Sequence, residues 1–199
     1  MTEKRNRKQD ILDAALACFN EAGIEATTVE TIRARCGASI GSIYHHFGNK
    51  EGIVAELFIC GMRDHAQNQT ALLGRADSAE AGIKALVYAY VDWVVAHPEL
   101  ARFVFHARGA VAAGPRGVEH DQASRAHFAR LFEWFEPHLR SGALRPLPPE
   151  IYPALIIGPA QEYCRAWLSG RAKTAPSEHR ERFGDAAWRT VGNDGPRAG

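Results

Sequence analysis

Apolar residues return every three to four positions through almost the whole chain, and the strict alternation that marks strands is nearly absent. Ile11, Leu12, Ala15, Phe19 and Ala22 share one face of a helix over about residues 6–22, with Gly23 as its stop. Thr27-Thr28 offers an N-cap for a short helix over 29–36, in which Val29, Ile32 and Cys36 point inward while Glu30, Arg33 and Arg35 face out. Gly37 closes that helix by taking a left-handed backbone, and Ser39 caps a second short helix reaching His45 or His46. Ala38, Ile43 and Phe47 are its inward residues. Asn49 then caps a longer helix from Lys50 to about Ala66.

Beyond Gly74 the predicted helices lengthen. They cover about 79–96 (stopped by His97-Pro98), 99–108, 120–140, 149–168 and 176–191. The stretch 109–119 holds Gly114-Pro115-Arg116-Gly117 and reads as a mobile loop. The pattern predicts an all-α fold: an N-terminal three-helix helix-turn-helix domain (1–50), a larger helical domain (51–192), and a disordered tail (193–199).

Composition narrows the class. A 46% hydrophobic and 24% charged chain of 199 residues can bury a core without staples, and no apolar run approaches the ~20 residues of a membrane helix. The basic N-terminus lacks an apolar signal core, so a cytoplasmic protein with no membrane partner is expected. Cys18, Cys36, Cys60 and Cys164 form no C-x-x-C pair and read as reduced thiols on apolar faces. The net charge of +1 decides little, but Lys4, Arg5, Arg7 and Lys8 make a basic arm ahead of the first helix, suited to phosphate backbones. No H-E-x-x-H, G-x-S-x-G, P-loop or dinucleotide fingerprint is present, so no catalytic residue, enzyme activity or cofactor is expected. His120 and His127 share a helical face beside Asp121, but no third ligand stands at a fixed spacing, and no metal site is expected.

The candidate chemistry lies in the two short helices. With both apolar stripes turned inward, the second helix presents Ile40, Gly41, Ser42, Tyr44, His45 and His46 outward, a surface unlike a Glu/Lys solvated face. Gly41 lets the helix start lie close to a groove wall, Ser42 suits a base edge, and Tyr44 and His46 reach phosphate oxygens. Thr27, Thr28 and the free N–H groups of the preceding helix can hold phosphates on the other side. The stretch Ala26-Thr27-Thr28-Val29-Glu30-Thr31-Ile32, then Cys36 through Phe47, then Asn49-Lys50-Glu51, resembles the signature of the TetR/AcrR family over about residues 8–58. By that resemblance Thr27, Ser39, Ser42, Tyr44, His45, His46 and Lys50 fall on DNA-contacting positions. The resemblance also implies a homodimer that represses at a pseudo-palindromic double-stranded operator and is released by a small, largely apolar effector. One departure is Ile40, where many members resemble Ser-Lys-Gly. Ile40 either packs on a thymine methyl or tucks against its own body. A helical small-molecule-binding module that no longer reads DNA is the competing reading.

In the larger region the aromatic residues fall at core spacing. The resemblance implies an effector cavity among these helices, with Trp93, Phe103, His106, His127, Phe128, Leu131 and Tyr163 as candidate lining. The last two long helices offer Ile151, Leu155, Gly158, Trp167, Phe183 and Trp188 as a dimer interface, with Pro153 or Pro159 as kinks; the alternative is that both helices only close the core of their own chain.

Overall fold

The computed structural model describes residues 7–193. Among these, nine α-helices follow one another: α1 Arg7–Ala22, α2 Val29–Cys36, α3 Ile40–Phe47, α4 Lys50–Leu73, α5 Ala79–Ala96, α6 Pro98–Ala113, α7 Gly117–Arg140, α8 Tyr152–Leu168 and α9 Arg180–Val191. Single 3-10 turns at Pro149–Ile151 and Pro176–His179 lead into α8 and α9. The described residues contain no strand, only an isolated bridge between Leu144 and Gly192. The all-α expectation holds.

Packing divides the chain into two compact units, and not at residue 50. Residues up to 63 group with 99–123, while 64–98 group with the chain from 124 onward. Helices α4 and α7 each contribute residues to both.

The first unit is built on a core from five helices. Ile11, Leu12, Ala15 and Phe19 of α1 are buried, as are Val29 and Ile32 of α2 and Ile43 of α3. Ile53, Val54 and Phe58 of α4 and Phe103 and Val104 of α6 complete it. The Phe19 and Phe103 rings stack at 5.5 Å between centroids. Gly61 lets α4 approach α6 closely, since a Cβ there would stand 3.2 Å from a Val104 methyl. Ala22, placed inward by periodicity, is exposed because it sits in the last turn of α1, and Cys36 is only half-buried for the same reason in α2.

The second unit centres on α5, whose Ile83, Val87, Val91 and Val94 are buried. Against it pack α8, through Ile156, Ala160 and Cys164, and α9, through Ala187 and Val191. Burial pushes the Cys164 thiol up to about 12, so this sulfur stays a neutral apolar side chain. Lys84 bridges Glu80 at 2.6 Å and Asp185 of α9 at 2.7 Å, and Arg180 pairs with Asp92 at 2.6 Å.

Three segments differ from the periodicity. Helix α4 continues to Leu73, through Gln67-Asn68-Gln69-Thr70, where a polar run hides a face that still packs inward. Helix α6 continues to Ala113 through Gly109, carried by the helix formers Ala110, Ala112 and Ala113 and by buried Val111, and Gly117 already opens α7, so the expected 109–119 loop shrinks to residues 114–116. Asn193, expected to begin a disordered tail, is held by its N–H on Ala143 O at 2.9 Å and its side-chain amide on Gly142 O at 3.0 Å. Residues 194–199 lie outside the described residues, as do Lys4 and Arg5 of the basic arm.

Candidate nucleic-acid interface

Two capped helices set the geometry. The Thr28 hydroxyl accepts from Thr31 N–H at 3.2 Å, and the Thr31 hydroxyl accepts from Thr28 N–H at 3.0 Å, a reciprocal capping box that fixes where α2 begins. Gly37 at φ +63° ends it, a conformation that a side chain would strain. Ser39 then accepts from Ser42 N–H at 3.1 Å and starts α3. Because Ile43 is fully buried and Phe47 half-buried, the orientation of α3 about its own axis is fixed and its other face turns outward.

That outer face carries what the pattern assigned to it. Gly41, Tyr44, His45 and His46 are exposed, and Ser42 is half-buried. Ile40 is 43% exposed and Tyr44 48%, a high value for residues of this size. Of the two alternatives for Ile40, the one that tucks it against the body is not what the structure shows. A Cβ on Gly41 would meet nothing within 4 Å, so the absent side chain is not explained by packing inside the protein. The His45 and His46 rings stand 5.3 Å apart, and His46 lies 5.9 Å from Phe47.

Two predicted contacts are placed differently. Thr27 is 2% exposed, and its hydroxyl donates to Gly23 O at 2.7 Å and Cys18 O at 3.2 Å. It ties the α1–α2 turn and presents nothing to a ligand. Lys50 is half-buried and donates to Ile24 O at 3.0 Å and Glu25 O at 3.2 Å, so two of its three N–H groups serve the backbone of that turn. In both cases local spacing was right about position and silent about the carbonyls that tertiary packing brings near. Lys8, the last cation of the basic arm, is likewise engaged, by Glu56 of α4.

Glu56 was not singled out by any motif. It is 17% exposed, receives Lys8 and Arg116 together, and Arg116 also pairs with Glu119 at 2.6 Å. Burial alone would raise its carboxyl, but the hydrogen bonds of Lys8 and Arg116 outweigh it and hold Glu56 below the usual carboxylate range. The arrangement clamps the starts of α1 and α7 onto α4 within one unit.

The proposed cavity residues divide between the two units. Phe103 is core to the first unit, stacked on Phe19, and exposed His106 borders an open cleft of about 340 Å³ with Asn20, Ile24 and Arg102. Trp93, His127, Phe128, Leu131 and Tyr163 belong to the second unit. There Trp93 donates to Asp64 at 2.8 Å, His127 Nε2 meets Gln69 Oε1 at 2.9 Å, and Tyr163 donates to Thr174 O at 3.1 Å. Phe128 and Leu131 are half-buried. His120, which shares a face with His127 in sequence, packs edge-on to Phe58 at 4.8 Å in the first unit instead. Ile151, Leu155, Gly158, Trp167, Phe183 and Trp188 are all half-buried, and a Cβ on Gly158 would meet nothing within 4 Å. Among the described residues no helix is long and apolar enough to cross a membrane.

Comparison with known proteins places this geometry. Residues 11–57 match the model of the tetR family of bacterial regulatory proteins. The transcriptional repressor KstR2 of Rhodococcus jostii is 34% identical over 84 residues, 42% of this chain and 41% of that protein. The repressor AcnR of Corynebacterium diphtheriae is 38% identical over 98 residues, 49% of this chain and 45% of that protein. The matches therefore span less than half of these relatives. The fold extends further: the crystal structure of a TetR family transcription regulator from Marinobacter aquaeolei superposes with a TM-score of 0.79 at 19% identity, covering 94% of this chain and 96% of that one.

Proposed function

We propose that this chain, whose residues 11–57 match the tetR family of bacterial regulatory proteins, is a homodimeric transcriptional repressor that reads a pseudo-palindromic operator through α3 and leaves it when a small, largely apolar ligand binds. The observation that carries this reading is the outward face of α3. A helix whose one apolar stripe is buried, and whose other side offers a bare Gly41 between exposed Ile40 and Tyr44, fits a major groove. Thr28, Ser39, Ser42, His45 and His46 surround it with short donors and phosphate-reaching rings, and exposed Arg7 supplies charge for the backbone. Ile40, with no charge to offer, is suited to a thymine methyl. A bacterial operator puts the working protein in the cytoplasm. Both named relatives are repressors, which supports repression over activation.

Selection from a random duplex library tests the reading. Wild-type protein is expected to enrich one inverted repeat whose half-sites lie on successive turns of one duplex face. Gly41→Glu is the matched control, since the added side chain has open space in the free protein but sets a carboxylate against phosphates. It should keep the far-UV circular dichroism and melting temperature of the parent and enrich no motif. Failure of the wild-type protein to enrich any motif would leave only a helical ligand-binding module.

A further inference from the structure

The inner face of α4 in the second unit is polar where a helical core is ordinarily apolar. Gln69 is 6% exposed, and His65, one helical turn earlier and so its neighbour on the same face, is half-buried. The His65 ring meets Tyr90 at 5.5 Å and Trp93 at 5.4 Å, both edge-on, while Asn68 donates to Ala89 O of α5 at 3.3 Å. From α7, His127 brings Nε2 to Gln69 Oε1 at 2.9 Å. The amide oxygen can only accept, so the imidazole donates through Nε2 and keeps its lone pair on Nδ1. That Nδ1 is buried and has no hydrogen-bond partner.

A buried acceptor without a donor is rare in folded proteins and calls for an explanation, of which an outside donor is one. His127 is disfavoured as a cation both by burial and by the nearby Arg130 charge, which keeps Nδ1 an acceptor at neutral pH. Half-buried Leu131 lies one turn beyond His127 on the same face of α7, and half-buried Phe128 is its neighbour in sequence, so apolar side chains adjoin the ring on its own helix. Neither Gln69 nor the neutral His127 ring carries a charge to hold an ionic group, and the Arg130 charge nearby further disfavours a cation.

We infer that Gln69 and His127 form the polar anchor of an effector site in the second unit, and that this site selects an uncharged, largely apolar molecule presenting one hydroxyl or N–H donor to His127 Nδ1. This rests on the reading that the protein answers to a small apolar ligand, and it names the chemistry of that ligand. A carboxylate, a quaternary ammonium or a pure hydrocarbon lacks the matching donor.

Thermal unfolding of the full chain without DNA tests it with paired probes: cyclohexanol against methoxycyclohexane, 1-octanol against methyl octyl ether, and octanoate as the charged control. The alcohols should raise the melting temperature with an apparent affinity at least about tenfold above their ethers, the worth of one desolvated hydrogen bond. Octanoate should give no shift. In Gln69→Leu/His127→Phe both polar partners become apolar together, so the empty protein should melt no lower than the parent while the preference for alcohol over ether disappears. His127→Asn, which returns an acceptor near the Nδ1 position, should recover part of it. Equal shifts for alcohol and ether, an unchanged preference in the double variant, or no shift with any probe overturns the inference. Operator binding is measured separately on probe-free protein, so a protein that discriminates the probes yet binds no DNA would sink the repressor reading alone.

Discussion

Glu56 holds two cations with one carboxylate, and the consequence for stability has a definite sign. Its carboxyl is held below the ordinary value of 4.5 by Lys8 and Arg116 against the opposing effect of burial. A group whose folded value is depressed stabilises the fold above its unfolded value and loses that contribution as pH falls through the folded one. The clamp therefore contributes fully at neutral pH and fades below about pH 4.5. Glu56→Gln removes the charge but keeps the shape. It should cost about 1 kcal/mol at pH 7, discounted because Lys8 and Arg116 are themselves partly solvated, and less at pH 3, where protonation has begun to remove the charge from the parent. Urea unfolding of both proteins at the two pH values reads this directly; an equal cost at both would show that the carboxylate charge is not what Glu56 contributes. Arg116 carries the other half of the argument. It comes from the segment that looks like a mobile loop in sequence, where Gly114-Pro115 ends α6 and Gly117 starts α7, and its three pairings tie that connection down.

At the scale of elements, helix positions follow from periodicity and capping, while helix lengths and side-chain partners follow from packing. Gly82 shows why. In sequence it is an unremarked glycine inside an apolar helix, a mild defect worth roughly 1 kcal/mol relative to alanine. In the structure a Cβ there would stand 2.0 Å from the Trp134 ring, so α5 and α7 meet only because residue 82 has no side chain. Gly82→Ala should improve the intrinsic helix propensity of α5 and still lower stability by about 1–3 kcal/mol through overpacking. Calorimetry would show it, and Trp134→Leu in the same chain should recover part of the loss. A melting temperature that rises with Gly82→Ala would mean the two helices are free to part. The same distinction separates the parts of the interface that were legible from those that were not. Thr28, Ser39 and Gly37 act through neighbours within four residues, and local pattern placed them correctly. Thr27 donates to Gly23 O and also to Cys18 O nine residues back, and Lys50 donates to carbonyls 25 and 26 residues away, beyond the reach of any spacing rule. Glu56 and Gln69 were missed because a lone acid or amide on a helix carries no motif until its partners arrive from α1, α7 or beyond.

For the whole molecule, the reading requires two copies of α3, because one short helix contacts a single half-site. The surface of α8 and α9 offers a way to supply the second. Ile151, Leu155, Trp167, Phe183 and Trp188 are each only partly covered within their own chain, and Gly158 follows Ile151 and Leu155 on one face of α8 and the turn leading into it, with open space beyond its Cα. If these side chains meet their two-fold mates, the bare glycine lets the paired helices approach. Gly158→Arg separates fold from assembly. Nothing within the subunit obstructs the new side chain, so helicity and monomer stability should survive, yet a guanidinium placed on this face of α8 is desolvated without a partner if two chains meet there. Sedimentation should then change from dimer to monomer, and operator affinity should fall on the order of a hundredfold, because the second half-site no longer binds at the high effective concentration that linkage provides. A variant that remains dimeric and keeps its affinity would place the pairing surface elsewhere, and would leave the partly covered side chains of α8 and α9 without a role in reading DNA.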